Sequence, residues 1–171
     1  MNIVLIGYRG TGKTIVGKLL AQRLKMAYVG MDDNIVKRLG MSIPEIVAKE
    51  GWPKFRDLES KEARDLASKD RIIIDTGGGV IERPENLAVL KTNTCIFWLK
   101  ASVDTIVSRI QKDTERPPLT EGKSFTEEVA EVLSNRLLKY KRAAQYEIDT
   151  DVLTPEQIAD CIITIWREQN P

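Results

Sequence analysis

Three observations predict a three-layer α/β fold on a five-stranded parallel sheet. Short apolar runs rich in Ile, Val, Tyr and Phe alternate with stretches of helical periodicity, the pattern of a parallel sheet covered on both faces. The first run, "NIVLI", leads into "GYRGTGKT", a glycine-rich turn that opens a helix. The 171 residues suffice for one domain, read here as 1–171, with a core that needs no staples.

The strands are read at "NIVLIG", "MAYVG", "RIIID", "TCIFWL" and "YEIDT". Ile15 with Leu19, and Val16 with Leu20, mark the first helix. A later helix carries Val103, Ile106, Val107 and Ile110, with Ser102 as its N-cap. The last opens on "TPEQ": Thr154 as cap, Pro155 in the first turn, Gln157 closing a capping box, with Ile158, Ile162 and Ile165 as the buried stripe.

Two regions break the alternation. Residues 31–69 are helical or loop-like, far longer than a simple crossover; 31–62 of these read as a helical substrate-binding insertion. Residues 112–124, "KDTERPPLTEGKS", are polar and Pro-rich without a period and read as a mobile lid.

Charge and composition exclude several function classes. Lys plus Arg number 26 and Asp plus Glu 25, so no broad field draws the chain to nucleic acid or an anionic membrane, and neither is expected as a partner. No apolar run reaches the roughly 20 residues that span a bilayer. The N-terminus lacks a basic segment followed by a cleavable apolar stretch, so a cytoplasmic monomer is expected. Cys95 and Cys161 read as two buried thiols of a reducing compartment. Trp52, Trp98 and Trp166 read as packing residues, and Lys37, Arg38, Lys139, Lys141 and Arg142 as surface charge. There is no histidine. Acid–base work therefore falls to carboxylates, Lys, Tyr or Cys, and a metal would be a hard cation on oxygen.

"GYRGTGKT" satisfies G-x-x-x-x-G-K-[ST] with Gly7, Gly12, Lys13 and Thr14, between a strand and a helix. Backbone N–H groups of Gly10, Thr11, Gly12, Lys13 and Thr14 line a nest at a positive helix end, and Ile15 continues the ATP-binding segment. Lys13 adds a point charge at the β- and γ-phosphates, and Thr14 offers a hydroxyl to Mg²⁺. A glycine turn that merely caps a helix is the alternative.

No N-K-x-D element reads guanine, and the chain is small for an AAA-type motor. Two insertions on one small domain point to a kinase that closes over a small molecule. Four clusters sharpen this: "GMDDNI" with Asp32 at the carboxyl edge of the sheet, "KFRDLE" with Arg56 and Glu59 on one helical face, "DTGGGV" with Gly77, Gly78 and Gly79, and the arginines of "ERPPL" and "NRLLKY", Arg116 and Arg136.

In order and spacing, these motifs resemble the shikimate kinases from Asn2 to about Ile165. The resemblance implies a three-layer P-loop kinase passing phosphate from ATP, with Mg²⁺, to the 3-hydroxyl of shikimate in aromatic amino-acid biosynthesis. It assigns the substrate carboxylate to Arg56 and Arg136, a fixed hydroxyl acceptor to Asp32, and N–H groups facing substrate and γ-phosphate to Gly77–Gly79. Glu59 orients Arg56. Asp32 is the candidate to accept the attacking hydroxyl's proton, and Arg116 neutralises charge on the transferring group.

The bland readings stand beside these. Asp32 could cap a helix starting at Asp33, Arg56 could simply pair with Glu59, and "GGG" could end a strand. Another small-molecule kinase, for gluconate or a nucleoside monophosphate, or a non-catalytic ATP-sensing module, are the rival functions. The chain also departs from the family. Gly30 stands where an acid usually supports the metal's water shell, "LLK" lacks a common proline, and "DTDVLTPE" lacks the arginine often found by the adenine. Asp75, at the end of "RIIID", is the candidate to replace the missing acid together with Asp32; capping of the glycine turn is its alternative.

Overall fold

A computed structural model describes residues 1–110 and 124–170. Its five strands, β1 (Asn2–Ile6), β2 (Ala27–Gly30), β3 (Ile72–Asp75), β4 (Thr94–Lys100) and β5 (Tyr146–Asp149), form one sheet in the order β2-β3-β1-β4-β5. Every neighbouring pair is parallel. All five expected runs are strands.

The period of two along β1 and β4 builds the three layers. Ile3, Leu5, Cys95, Phe97 and Leu99 face one side, against α1 (Lys13–Leu24) and α7 (Pro155–Gln169). Val4, Ile6, Ile96 and Trp98 face the other, against α3 (Ile43–Ala67), α4 (Pro84–Leu90) and α6 (Phe125–Ala143). Strands buried on both faces must be apolar at consecutive positions, hence "IVLI" and "CIFWL".

Three helices carry full capping boxes, at Ser42, Ser124 and Thr154. Each box stabilises its helix start by roughly 1 kcal/mol. Ser102 caps α5 (Val103–Ile110) through the Thr105 N–H at 3.2 Å. On α7, Ile158 and Ile162 are buried, but the stripe continues through Ile163 and Trp166, leaving Ile165 half-buried. On α1, Val16 and Leu20 are buried while Ile15 is exposed.

Between β2 and β3 lie α2 (Met31–Leu39) and α3. Gly51, at φ 81° and ψ 166°, breaks α3 just before Pro53. The helix runs on past residue 62, and Ala63 and Leu66 pack on the sheet. The expected insertion is thus continuous with a core helix, which anchors its far end.

Two expectations are corrected. Cys95 is buried but Cys161 is exposed, because it falls on the outer face of α7. Arg38 is more than surface charge: with Asn34 (2.9 Å) it donates to the buried Glu62, joining α2 to α3. Trp98 stacks on Tyr140 at 5.5 Å and Trp166 is buried, as read, while Trp52 meets Phe55 edge-on and is only half-buried. The expected lid, with Arg116, lies outside the described residues except for Ser124.

Candidate active site

The phosphate loop leaves β1 at Gly7 and enters α1 at Lys13. Gly10 (φ 79°) and Gly12 (φ 92°) adopt left-handed conformations that side chains disfavour. A Cβ on Gly10 would also meet Ile110 Cγ2 at 2.6 Å. Lys13 is buried and donates to the carbonyls of Gly7 (2.9 Å) and Tyr8 (3.0 Å), while Thr11 Oγ1 donates to Tyr8 O at 2.8 Å. Around the loop lies a cavity of about 940 Å³, lined among others by Lys13, Thr14, Ile15, Asp32, Asp75 and Gly78.

Asp75 ends β3 beside the loop. Its Oδ2 accepts from Thr14 Oγ1 at 2.7 Å and from Tyr28 Oη at 2.8 Å. Those partners come from α1 and β2, so the carboxylate does not act as a cap of the glycine turn alone. Burial, then the Asp75 charge, pushes the Tyr28 phenol well above its ordinary range, so it stays a donor. A Cβ on Gly30 would meet Asp33 Oδ2 at 3.0 Å, so this strand end has a second carboxylate close by. The resulting donors are all oxygens, and no group of three or more His, Cys, Asp or Glu among the described residues could hold a metal alone. That suits Mg²⁺, which takes one or two carboxylates and keeps waters and phosphate oxygens.

The glycine triplet is the meeting point of the remaining groups. A Cβ on Gly77 would lie 2.6 Å from Glu59 Oε1 and 2.7 Å from Asp32 Oδ1. One on Gly78 would touch the phosphate-loop backbone, at 3.5 Å from Gly7 O and Arg9 N. One on Gly79 would overlap the Arg56 guanidinium. Gly77 and Gly79 leave no free room for a Cβ, whereas Gly78 stands at ordinary contact distance from the loop.

Arg56 pairs with Glu59 one helical turn on, and lies over the rings of Trp52 (5.2 Å) and Phe55 (5.6 Å). Burial raises the Glu59 carboxyl's pKa, with Arg56 opposing. Its Oε1 is buried and has no hydrogen-bond partner among the described residues. Arg136, on α6, donates through Nη1 to Gly78 O at 3.3 Å, where the Tyr140 hydroxyl also donates at 2.5 Å. Burial acts against the Arg136 charge, but Tyr140 and Glu82 hold its pKa above the usual range. Asp32 sits in the first turn of α2, which begins at Met31 with Gly30 as N-cap, so it is not the cap of that helix.

Sequence reasoning brought together Asp32, Arg56, Glu59, Gly77–Gly79 and Arg136, and the structure gathers them around one turn. It missed Tyr28, which reads as a strand aromatic until its hydroxyl is seen to reach Asp75. It also missed Arg109, whose guanidinium donates to Gly10 O (3.2 Å), Thr150 Oγ1 (3.2 Å) and Thr150 O (3.0 Å), joining the phosphate loop to the turn after β5. The spacing of Arg109, one residue before the apolar Ile110 at the end of α5, carried no signal for that contact.

A phosphate loop, a strand-end carboxylate beside it and a polar acceptor turn define a P-loop kinase of small molecules. The family model described as shikimate kinase matches residues 9–166. A shikimate kinase of Thermodesulfovibrio yellowstonii is 44% identical over 95% of this chain and 92% of its own length. One of Caldicellulosiruptor bescii is 38% identical over 96% and 94%. Among solved structures, shikimate kinase from Acinetobacter baumannii in complex with shikimate aligns with a TM-score of 0.92 at 30% identity, covering 98% of this chain and 93% of that one. The Aquifex aeolicus enzyme gives 0.85 at 29% identity, covering 99% and 98%. The chain belongs to the shikimate kinase family, whose activity is phosphate transfer from ATP to shikimate.

Proposed function

We propose that this chain phosphorylates the 3-hydroxyl of shikimate with ATP, and that Asp32, Arg56, Glu59 and Arg136 are its acceptor site. The observation that carries the reading is the crowding of two carboxylates and two guanidiniums about a glycine turn whose middle residue abuts the phosphate loop. Arginine forks suit a carboxylate, and the buried Glu59 Oε1 calls for a hydroxyl donor. A ring bearing both groups satisfies the site.

The loop N–H groups and Lys13 hold the phosphates; Lys13 exchanges its carbonyl partners for phosphate oxygens as ATP binds. Asp32 orients the 3-hydroxyl and takes its proton as that oxygen bonds to the γ-phosphorus and ADP departs. Oδ1 of Asp32 is turned to the acceptor side, so any share in the metal's water shell falls to its other oxygen. Thr14, donating its hydroxyl hydrogen bond to Asp75, keeps lone pairs that would ligate Mg²⁺, and Asp75 would support the ion's water. When bound, Mg²⁺ would supply positive charge that neutralises the phosphate oxygens. Arg116, outside the described residues, is the candidate to add charge to the transferring group, and a single cytoplasmic chain supplies every part.

An ADP-release assay comparing shikimate, gluconate and nucleoside monophosphates tests the reading. Turnover with shikimate alone is expected. Preference for another acceptor, or ATP binding without any transfer, would overturn it.

A further inference from the structure

We propose that Glu82 is a positioning residue for the acceptor site, fixing the angle at which the Arg136 fork meets a carboxylate. The inference rests on the reading of Arg136 as the carboxylate's partner. Glu82 closes the single 3₁₀ turn Val80–Glu82 that follows the glycine triplet. Arg136 Nε donates to its Oε1 at 2.6 Å, and Lys139, one turn along α6, donates to its Oε2. Lys139, read from the sequence as surface charge, is therefore part of this arrangement.

Arg136 Nη1 is held by Gly78 O, so two of the three guanidinium nitrogens are fixed by protein acceptors. Neither of these bonds uses Nη2, which is the nitrogen left to meet an anion. The side chain of Arg136 is 7% exposed, so protein partners, Glu82 among them, set its plane. An arginine fixed beforehand loses less freedom on gripping an anion. One carboxylate shared by two cations also leaves net positive charge, so Glu82 orients Arg136 without cancelling its attraction for an acid. Glu82 touches the arginine and acts through it.

The test measures shikimate and ATP binding separately by calorimetry, with steady-state constants, for the full-length wild type, Glu82→Gln, Glu82→Asp and Arg136→Lys. Glu82→Gln should weaken shikimate roughly ten-fold, the scale of one charge-assisted hydrogen bond, with ATP affinity within about two-fold. Glu82→Asp, which keeps the charge on a shorter stem, should fall between it and the wild type. The shikimate KM should rise more than kcat falls. A lower melting temperature with unchanged shikimate affinity would make Glu82 a structural bond only and overturn the inference. If Glu82→Gln fails to fold, Glu82→Asp decides: selective loss of shikimate affinity supports positioning and unchanged affinity refutes it. If Arg136→Lys leaves shikimate binding intact, the reading of Arg136 falls and this inference with it. If Arg136→Lys weakens binding and neither Glu82 variant does, only the inference about Glu82 falls.

Discussion

Gly30 and Asp75 are register partners across β2 and β3, and the carboxylate of the pair stands on β3. The family resemblance leads one to expect an acid at Gly30; in this chain a carboxylate stands one strand away, a lateral step of roughly 4.8 Å. Thr14 and Tyr28 both donate to the same oxygen of Asp75, so its second oxygen is the one available to a metal's water.

Asp75→Asn should therefore raise the Mg²⁺ concentration needed for half-maximal turnover and slow the chemical step. Asn keeps the shape and loses the charge. Mn²⁺ binding in the presence of ADP, followed by electron paramagnetic resonance, gives a readout independent of turnover and should weaken in parallel. Unchanged metal dependence in both measurements would leave Asp75 as a support for Thr14 and Tyr28 alone.

The strands and the phosphate loop were legible because both are local: β1 carries four consecutive apolar residues, Ile3–Ile6, and the loop is a fixed spacing of glycines before Lys13. Asp32, Arg56 and Arg136 read as a site only as an ordered set, since alone Asp32 reads as a helix cap and each arginine as a surface or paired charge. Tyr28, Arg109, Glu82 and the exposure of Cys161 were not legible. Each depends on which way a side chain turns across 41 to 99 positions or on which helical face meets the sheet, and periodicity carries no such information. The boxes at Ser42 and Ser124 did have a local signal, S-x-x-E, in "SIPE" and "SFTE".

Gly79→Ala should impair the acceptor and spare the nucleotide. The added methyl overlaps the end of a flexible Arg56 side chain, so the fold persists while the guanidinium shifts. The shikimate KM should rise roughly ten-fold, as when a paired fork is lost, with the ATP KM unchanged. Steady-state titration of each substrate checks this, and an unmoved shikimate KM would place carboxylate recognition away from Arg56.

Arg109→Ala should do the reverse. Its three hydrogen bonds tie Gly10 to Thr150 from an exposed position, so their loss should raise the ATP KM by roughly three- to ten-fold and leave shikimate alone. Equal losses for both substrates would mean that the variant loosens the whole domain.

Acid should erase the difference between wild type and Glu82→Gln in thermal melting. Burial pushes the Glu82 carboxyl up, but the bonds from Lys139 and Arg136 outweigh it and hold its pKa below 4.5. A carboxyl depressed on folding stabilises above its unfolded pKa and loses that contribution as pH falls through the folded value. The gap in melting temperature should therefore be full at neutral pH and close below pH 4.5. A gap that persists unchanged in acid would separate the stability of the turn from the charge on Glu82.

Gly77, Gly78 and Gly79 are identical in sequence and face three different walls: carboxylates, phosphate-loop backbone and a guanidinium. Deleting any one of them yields the same shortened chain, yet that chain cannot keep the clearances at both ends of the run. With two glycines left, Val80 moves up by one place and sets a branched side chain where the Arg56 guanidinium lies. The run therefore works as a ruler whose length is set by the carboxylates at one end and the guanidinium at the other, and a slip of one codon in this stretch would be silent at no position.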